Sequence, residues 1–487
     1  MKTSVISVYV AALVLASGIA AGNVAAREAA ESGTDSGRNA AGPVTLHVDP
    51  VRTLLKAGEK QTTWVRVGLD GMRLESSVKR PNVNLAIVLD KSGSMQGDKI
   101  EHARKAAIDA LQLLGSEDIV SIVTYDSTVQ VLYPATRMTD RESVEAVIRS
   151  IQADGNTALF AGVSKGAAEV RKFLDKQRVN RIVLLSDGLA NSGPSTPGEL
   201  GDLGASLLKE GISVSTLGLG LGYNEDLMVQ LAGKSGGNHH FIEQATELAD
   251  VFRKEFNSVL SVVAQDVDLQ LTIPEGIRPV RVLGNDATIS GQHISTRMAQ
   301  IYSEQKKHIV IELELTGGES GSQRELGTVN VTCSRILTSD AAQSAAETAN
   351  GPVTSTFTLT GVAMVSFSST DDDVAKSLNK SVMADVVALV SSEENKLATR
   401  YLDEGNLEMS RRILKRNIDY LTENESLVPE MPRLRQLSEM NGVQLQQLEG
   451  VTSKDDSRAN VARKSARAYQ NAVDQQQLVE PPASSSK

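Results

Sequence analysis

The chain has a single cysteine, Cys333, among 487 residues. No intramolecular disulfide can form, and cysteine-based metal sites are excluded. Aromatic residues make up only 3% of the chain, too few for the stacking platforms that grip single-stranded nucleic acid. No Lys/Arg-rich stripe interrupts the sequence, and the formal net charge is -10. A polyanionic partner such as nucleic acid is disfavoured. After the N-terminus no apolar run approaches the length needed to span a bilayer. Histidines are scattered, no His-Glu-x-x-His occurs, and the adjacent pair His239-His240 has nothing nearby to complete a metal site.

What is present begins with an export pattern. Lys2 supplies a short positive region, Val5 to Ala16 is almost wholly apolar, and Val24-Ala25-Ala26 is a small-residue cleavage pattern. Residues 1–26 read as a signal peptide and place the mature chain in the periplasm or outside the cell. Membrane contact is expected only if that segment stays uncleaved as an anchor. Residues 27–42 are small and polar and read as a disordered linker.

The rest divides by periodicity. Residues 43–81 alternate apolar and polar side chains, as in Thr63-Trp64-Val65-Arg66-Val67, and predict strands. From Asn82 to Val263, short apolar runs alternate with amphipathic helices. Leu85 to Leu89 is continuously apolar, as expected of a strand buried on both faces. Ile100, Ala103, Ala107, Ala110 and Leu114 then recur at helical spacing, with Asp98 and Glu101 suited to a capping box. Helices are also predicted over Ala158–Leu174 and, closing the unit, Thr246–Val263. This order predicts an α/β fold with a doubly wound, mainly parallel sheet. Alternation returns over residues 264–369. Two arrangements are compatible with β pattern on both sides: the α/β unit is inserted into one β-sandwich, or two unrelated β segments flank it. Residues 370–450 read as helical, with a turn at Gly405-Asn406. Residues 451–487 read as a polar, partly disordered tail with one helix over Ser457–Gln477, and Arg463, Lys464 and Arg467 as a solvated face of it.

One constellation carries chemistry. The first buried strand ends in Asp90-Lys91-Ser92-Gly93-Ser94, directly before a helix. A carboxylate and two hydroxyls at i, i+2 and i+4 can converge on one point, and Gly93 permits a sharp turn. Asp154-Gly155-Asn156-Thr157 lies in a second loop, and Leu184-Leu185-Ser186-Asp187-Gly188 ends another apolar strand. In open α/β sheets ligands sit outside the carboxyl ends of the strands, where all three loops fall. Oxygen-only donors suit Mg²⁺, Mn²⁺ or Ca²⁺ rather than zinc. Lys91 reads as a solvated side chain. Gly-x-Ser-x-Gly occurs around Ser164 and Ser235, but neither falls on the strand-to-helix turn that a nucleophile elbow needs. Gly218 to Gly222 reads as a turn after a core strand, and Cys333 as buried and inert.

Asp90, Ser92, Ser94, Thr157 and Asp187 together resemble the metal-ion-dependent adhesion site of von Willebrand factor type A domains, over about Asn82 to Val263. The resemblance implies that Ser92 and Ser94 coordinate the metal directly, Thr157 directly or through water, and Asp90 and Asp187 largely through waters or the serines. It implies Mg²⁺, with Mn²⁺ or Ca²⁺ as substitutes, whose open position accepts an Asp or Glu from a protein partner. The function expected is a non-enzymatic, extracytoplasmic adhesion or complex-assembly module. The alternative is a structural scaffold whose metal only stabilises the loops. By analogy with integrin-like members, the closing helix would slide when ligand binds.

Overall fold

A computed structural model describes residues 39–40, 42–74, 80–189, 192–335, 355–428 and 431–476. The expected signal peptide and most of the expected linker lie outside the described residues. The last linker residues are structured: strand β1 (Asn39–Ala40) pairs antiparallel with β2 (Val44–Pro50).

Strands β3 (Leu54–Lys56) and β4 (Lys60–Gly71) complete the segment before the α/β unit. Within the unit, β5 (Asn82–Asp90) leads to α1 (Asp98–Leu111), β6 (Ile119–Tyr125), β7 (Val129–Arg137), α2 (Arg141–Arg149) and α3 (Leu159–Arg171). Then follow β8 (Arg178–Ser186), α4 (Pro197–Lys209), β9 (Ile212–Leu219), α5 (Glu225–Ser235), β10 (His239–Ile242) and α6 (Leu248–Leu260). Among the described residues the sheet order is β10-β9-β8-β5-β6-β7. All neighbours are parallel except β7, which runs antiparallel along one edge. Leu85, Ile87 and Leu89 face α1 and α6, while Ala86 and Val88 face α3, α4 and α5. Burial on both faces explains the unbroken apolar run in β5.

The segment after the unit is also β-rich: β11 (Val262–Thr272), β12 (Ile277–Leu283), β13 (Ala287–Ser290), β14 (His293–Tyr302), β15 (Lys306–Thr316), β16 (Gln323–Arg335) and β17 (Ser355–Ser368). The two sheets are β1-β2-β4-β15-β12 and β13-β14-β11-β16-β17-β3. Because β4 pairs with β15 over its whole length and β3 with β17, strands from before and after the α/β unit share both sheets. The unit is therefore inserted into one sandwich, whose interior is a single apolar core.

Helices α7 (Asp371–Lys376), α8 (Lys380–Asp403), α9 (Leu407–Glu425), α10 (Pro432–Gln447) and α11 (Ser457–Asp474) follow. Val382, Val386, Leu389, Leu421 and Leu434 pack on Val51, Leu283 and Val310 of the sandwich. Gly405, at φ 79°, makes the turn between α8 and α9, a conformation that a Cβ would strain. Among the described residues no helix is long and apolar enough to cross a membrane.

Three expectations need correction. Helix α6 ends at Leu260, and Val262 and Val263 open β11 instead; their β-branched side chains suit a strand interior. The N-cap of α1 is Gly97, with no side-chain cap, so Asp98 and Glu101 form no capping box and contribute only negative charge to the first turn. Capping boxes lie elsewhere, on α4 between Thr196 and Glu199 and ahead of α6 between Gln244 and Glu247. The basic residues of α11 are not solvated. Lys464 is 1% exposed and donates to the Tyr223 carbonyl and Glu225 Oε2, both at 2.6 Å, while Arg463 and Arg467 also close on Glu225. One buried carboxylate gathers three cations and fastens α11 to the start of α5.

A second buried cluster joins the α/β unit to the sandwich. Arg181 of β8 and Glu255 of α6 are both fully buried, 3.5 Å apart. Arg181 also donates to Ser215 Oγ at 2.7 Å, and to Gln300 Oε1 and the Tyr302 hydroxyl of β14 at 2.6 and 2.8 Å. Glu255 accepts from Ser215, from Asn238 at 2.7 Å and from His240 Nε2 at 3.3 Å. Burial alone would raise the Glu255 carboxyl, but the hydrogen bond from His240 and the charge of Arg181 hold it down to about 2. Removing one partner of a buried charge pair leaves the other uncompensated, at roughly 3–5 kcal/mol. Glu255→Ala is expected to lower unfolding free energy by about that amount in chemical denaturation. Because the folded carboxyl titrates below the unfolded one, its contribution is full above pH ~4.5 and fades towards pH ~2. The stability gap between wild type and Glu255→Gln should narrow over that window.

Candidate functional site

Three loops meet beyond the carboxyl ends of β5 and β8. The first follows β5, the second precedes α3, and the third follows β8. Backbone bonds lace the first two together: Gly93 N donates to Gly155 O at 2.9 Å and Asp154 N to Lys91 O at 2.7 Å. Ala158 N donates to Asp126 O at 2.8 Å, which ties the second loop to the end of β6. Gly155 has φ 82°, so the turn needs a residue without a Cβ.

Four of the five expected residues, Asp90, Ser92, Thr157 and Asp187, are buried, and Ser94 is exposed. Asp90 Oδ1 accepts from the Ser92 amide and Oδ2 from Ser186 Oγ, both at 2.8 Å. Ser92 Oγ and Ser94 Oγ lie 3.1 Å apart, and Ser94 donates to Asp187 Oδ1 at 2.6 Å. Thr157 joins them across Gly188, where a methyl would stand 3.0 Å from Thr157 Oγ1 and 3.4 Å from Ser94 Oγ. All five residues are therefore brought to one place. Two carboxylates and three hydroxyls form a set of hard oxygens open to solvent at Ser94, with no nitrogen or sulfur donor among them. This donor set fits Mg²⁺, Mn²⁺ or Ca²⁺. Among the described residues no group of three or more His, Cys, Asp or Glu side chains could hold a metal, so the mixed hydroxyl-carboxylate set is the place to look for one.

Residues 84–254 match the model of the von Willebrand factor type A domain. The chain carries a von Willebrand factor type A domain. Domains of this type are mostly interaction modules, and many bind a divalent metal at the adhesion site. The chain is 30% identical over 214 residues to the Escherichia coli protein YfbK, covering 43% of this chain and 37% of that one. It is 26% identical over 247 residues to the Synechocystis protein sll0103, covering 49% of this chain and 58% of that one. The chain thus spans less than two thirds of either relative. The solved structure of a von Willebrand factor type A protein from Catenulispora acidiphila superimposes with TM-score 0.65 at 16% identity, covering 90% of this chain and 97% of that one. The inserted domain, the sandwich and the helices therefore recur together as one fold.

Some residues around the site of this von Willebrand domain escaped sequence reading. Lys99, in the first turn of α1, places Nζ 2.5 Å from Asp187 Oδ2. Its signal was positional: nine residues after Asp90, on the helix that the motif opens. Ser186, which precedes Asp187 at the end of β8, holds Asp90 through its hydroxyl. Lys91 is not solvated; its side chain is 14% exposed and pairs with Asp126. Gly222, in the turn after β9, lies where a methyl would stand 2.8 Å from the Asp187 carbonyl oxygen. Ser164 lies within α3, and Ser235 Oγ is buried against Val214 and Ala232. His239 is buried with Nδ1 on Thr216 Oγ1 at 2.8 Å. Cys333 is buried in β16, which pushes its thiol up to about 11.

Burial pushes the Asp90 carboxyl up to about 6; the hydrogen bonds from Ser92 and Ser186 oppose this, and the charge of Asp187 adds to it. A raised folded pKa means that ionised Asp90 destabilises the fold. The penalty is absent below about 3.8, grows as pH rises and is complete above about 6. A bound cation would offset it. Mg²⁺ is therefore expected to raise the melting temperature more at pH 7 than at pH 5, and Asp90→Asn to remove most of that difference, as read by thermal denaturation.

Proposed function

We propose that this chain is an exported, metal-dependent protein-binding module, which grips an Asp or Glu side chain of a partner through a divalent cation, Mg²⁺ by preference. The observation that carries this reading is the uneven exposure of the site. Asp90, Ser92, Thr157 and Asp187 are buried while Ser94 is open, so a cation held here is walled in on the protein side. Only its outward face is left for a ligand. Mg²⁺ demands six oxygens, and a carboxylate from outside would complete the set. If Asp90 and Asp187 act mainly through Ser92, Ser94, Ser186 and waters, little negative charge touches the ion, and it stays attractive to an acidic partner.

Ser92, Ser94 and Thr157 would hold the cation, and Asp90 and Asp187 would orient the hydroxyls. The scaffold reading is weaker, because backbone bonds already join the first loop to the second, and the Ser94 hydroxyl joins it to Asp187 of the third. A role in binding rather than catalysis accords with the domain class. Export is supported by the pattern of Lys2, the apolar run to Ala16 and the small residues before Arg27.

Ser92→Ala and chelator should each abolish both Mg²⁺ binding in calorimetry and Mg²⁺-dependent capture of acidic peptides from a peptide library, with the circular dichroism spectrum unchanged. Capture indifferent to both treatments would sink the proposal. Gly188→Ala offers a finer probe. Its methyl would crowd Thr157 Oγ1 and Ser94 Oγ, so Mg²⁺ affinity should fall about tenfold, roughly 1.4 kcal/mol, with little loss of melting temperature.

A further inference from the structure

We infer that Lys99 is a built-in competitor for the cation: its ammonium occupies Asp187 and must be displaced before a divalent ion can bind, which sets the concentration at which the site loads. This inference rests on the cation site proposed above.

Asp187 is fully buried at its side chain, whereas Lys99 is 38% exposed and reaches in from solvent. Both carboxylate oxygens are engaged, Oδ1 by the Ser94 hydroxyl at 2.6 Å and Oδ2 by Lys99 Nζ at 2.5 Å. The other nearby ammonium, Lys91, is neutralised by Asp126, so its charge is already spent locally. Asp90 is satisfied by the Ser92 amide and Ser186. Lys99 is thus the charge that balances the site from within. With Asp90 and Asp187 both ionised, it leaves a formal charge of only one negative unit towards an incoming divalent ion.

An ion coordinated by Ser92 and Ser94 would sit about 2.1 Å from each hydroxyl oxygen. Ser94 Oγ is itself bonded to Asp187, so the ion would lie within a few ångströms of the ammonium. Like charges at that separation, partly shielded from water, repel strongly. The lysine stem is flexible and its ammonium well hydrated. Lys99 can therefore leave Asp187 for solvent, at the expense of an ion pair with a buried carboxylate.

The test is calorimetric titration of the full chain with Mg²⁺ and separately with Mn²⁺, comparing wild type, Lys99→Gln, Lys99→Arg and Ser92→Ala. Lys99→Gln keeps a hydrogen-bond donor for Asp187 and removes the charge. It is expected to bind both ions about tenfold more tightly than wild type, equivalent to roughly 1.4 kcal/mol, and to gain more melting temperature on adding Mg²⁺. Lys99→Arg keeps the charge and should stay close to wild type. Equal or weaker affinity in Lys99→Gln, with Ser92→Ala silent, overturns the inference while the cation site stands. Binding in Lys99→Gln where wild type binds weakly supports it. Failure of every variant and of wild type to bind either ion at millimolar concentration overturns both the site and the inference.

Discussion

The contact between Arg181 and Glu255 fixes the mechanical frame on which the rest of the molecule depends. It joins the central sheet of the inserted domain, its last helix and strand β14 of the sandwich in one buried polar cluster. A charge pair withdrawn from water is tolerable only when most of its remaining lone pairs and protons find partners; Ser215, Asn238, His240, Gln300 and Tyr302 supply these, and Arg181 Nε alone is left without one. An inserted domain is tethered to its host by two crossings of the chain, which alone would let it swing. Here the crossings are reinforced by a charged contact that cannot slide without exposing an unpaired ion. Helix α6 carries Glu255 and runs within two residues into β11. Displacement of α6 along its axis, the movement associated with integrin-like domains, would have to break this cluster.

Rigidity at that interface matters for the other end of the sheet. The five oxygens come from loops after β5 and β8 and before α3, and their convergence depends on strands held in fixed register. Near the site the packing is equally close. A methyl on Gly188 would press tightly on Thr157 and Ser94, and Gly222 has no room for one beside the Asp187 carbonyl. Gly222 precedes the segment that Lys464 grips through the Tyr223 carbonyl and Glu225. The C-terminal helix α11, more than two hundred residues away in sequence, therefore buttresses the loop behind Asp187. A hydroxyl-rich site binds a hard ion only if its oxygens are already placed, and these contacts place them.

How much of this could be read from sequence follows from the range of the interactions. The buried strand β5 and the Asp-x-Ser-x-Ser loop were legible because they are local: a continuous apolar run, then donors at fixed spacing. Thr157 and Asp187 were legible because each stands in a loop beside a predicted element, at the end that α/β sheets use for ligands. The insertion was readable only as one of two arrangements, since β4 and β15 are separated by the whole inserted domain and nothing in either strand specifies its partner. The end of α6 was misplaced by three residues because an apolar stretch such as Val259 to Val263 serves helix and strand alike.

Charged residues were the least legible, and for one physical reason. A lysine or arginine in a polar helix reads as solvated unless its counter-charge is also in view, and here the counter-charges are remote in sequence. Lys99 answers Asp187, Lys91 answers Asp126, and Arg463, Lys464 and Arg467 answer Glu225. In each case an acidic residue at the end or start of an element is buried by the fold and draws in the cation that can reach it. Composition could not reveal this, because a net charge of -10 says nothing of which acids are withdrawn from water. The buried acids decide which cations are structural. They also determine which cation stands beside the hydroxyls that would hold a metal.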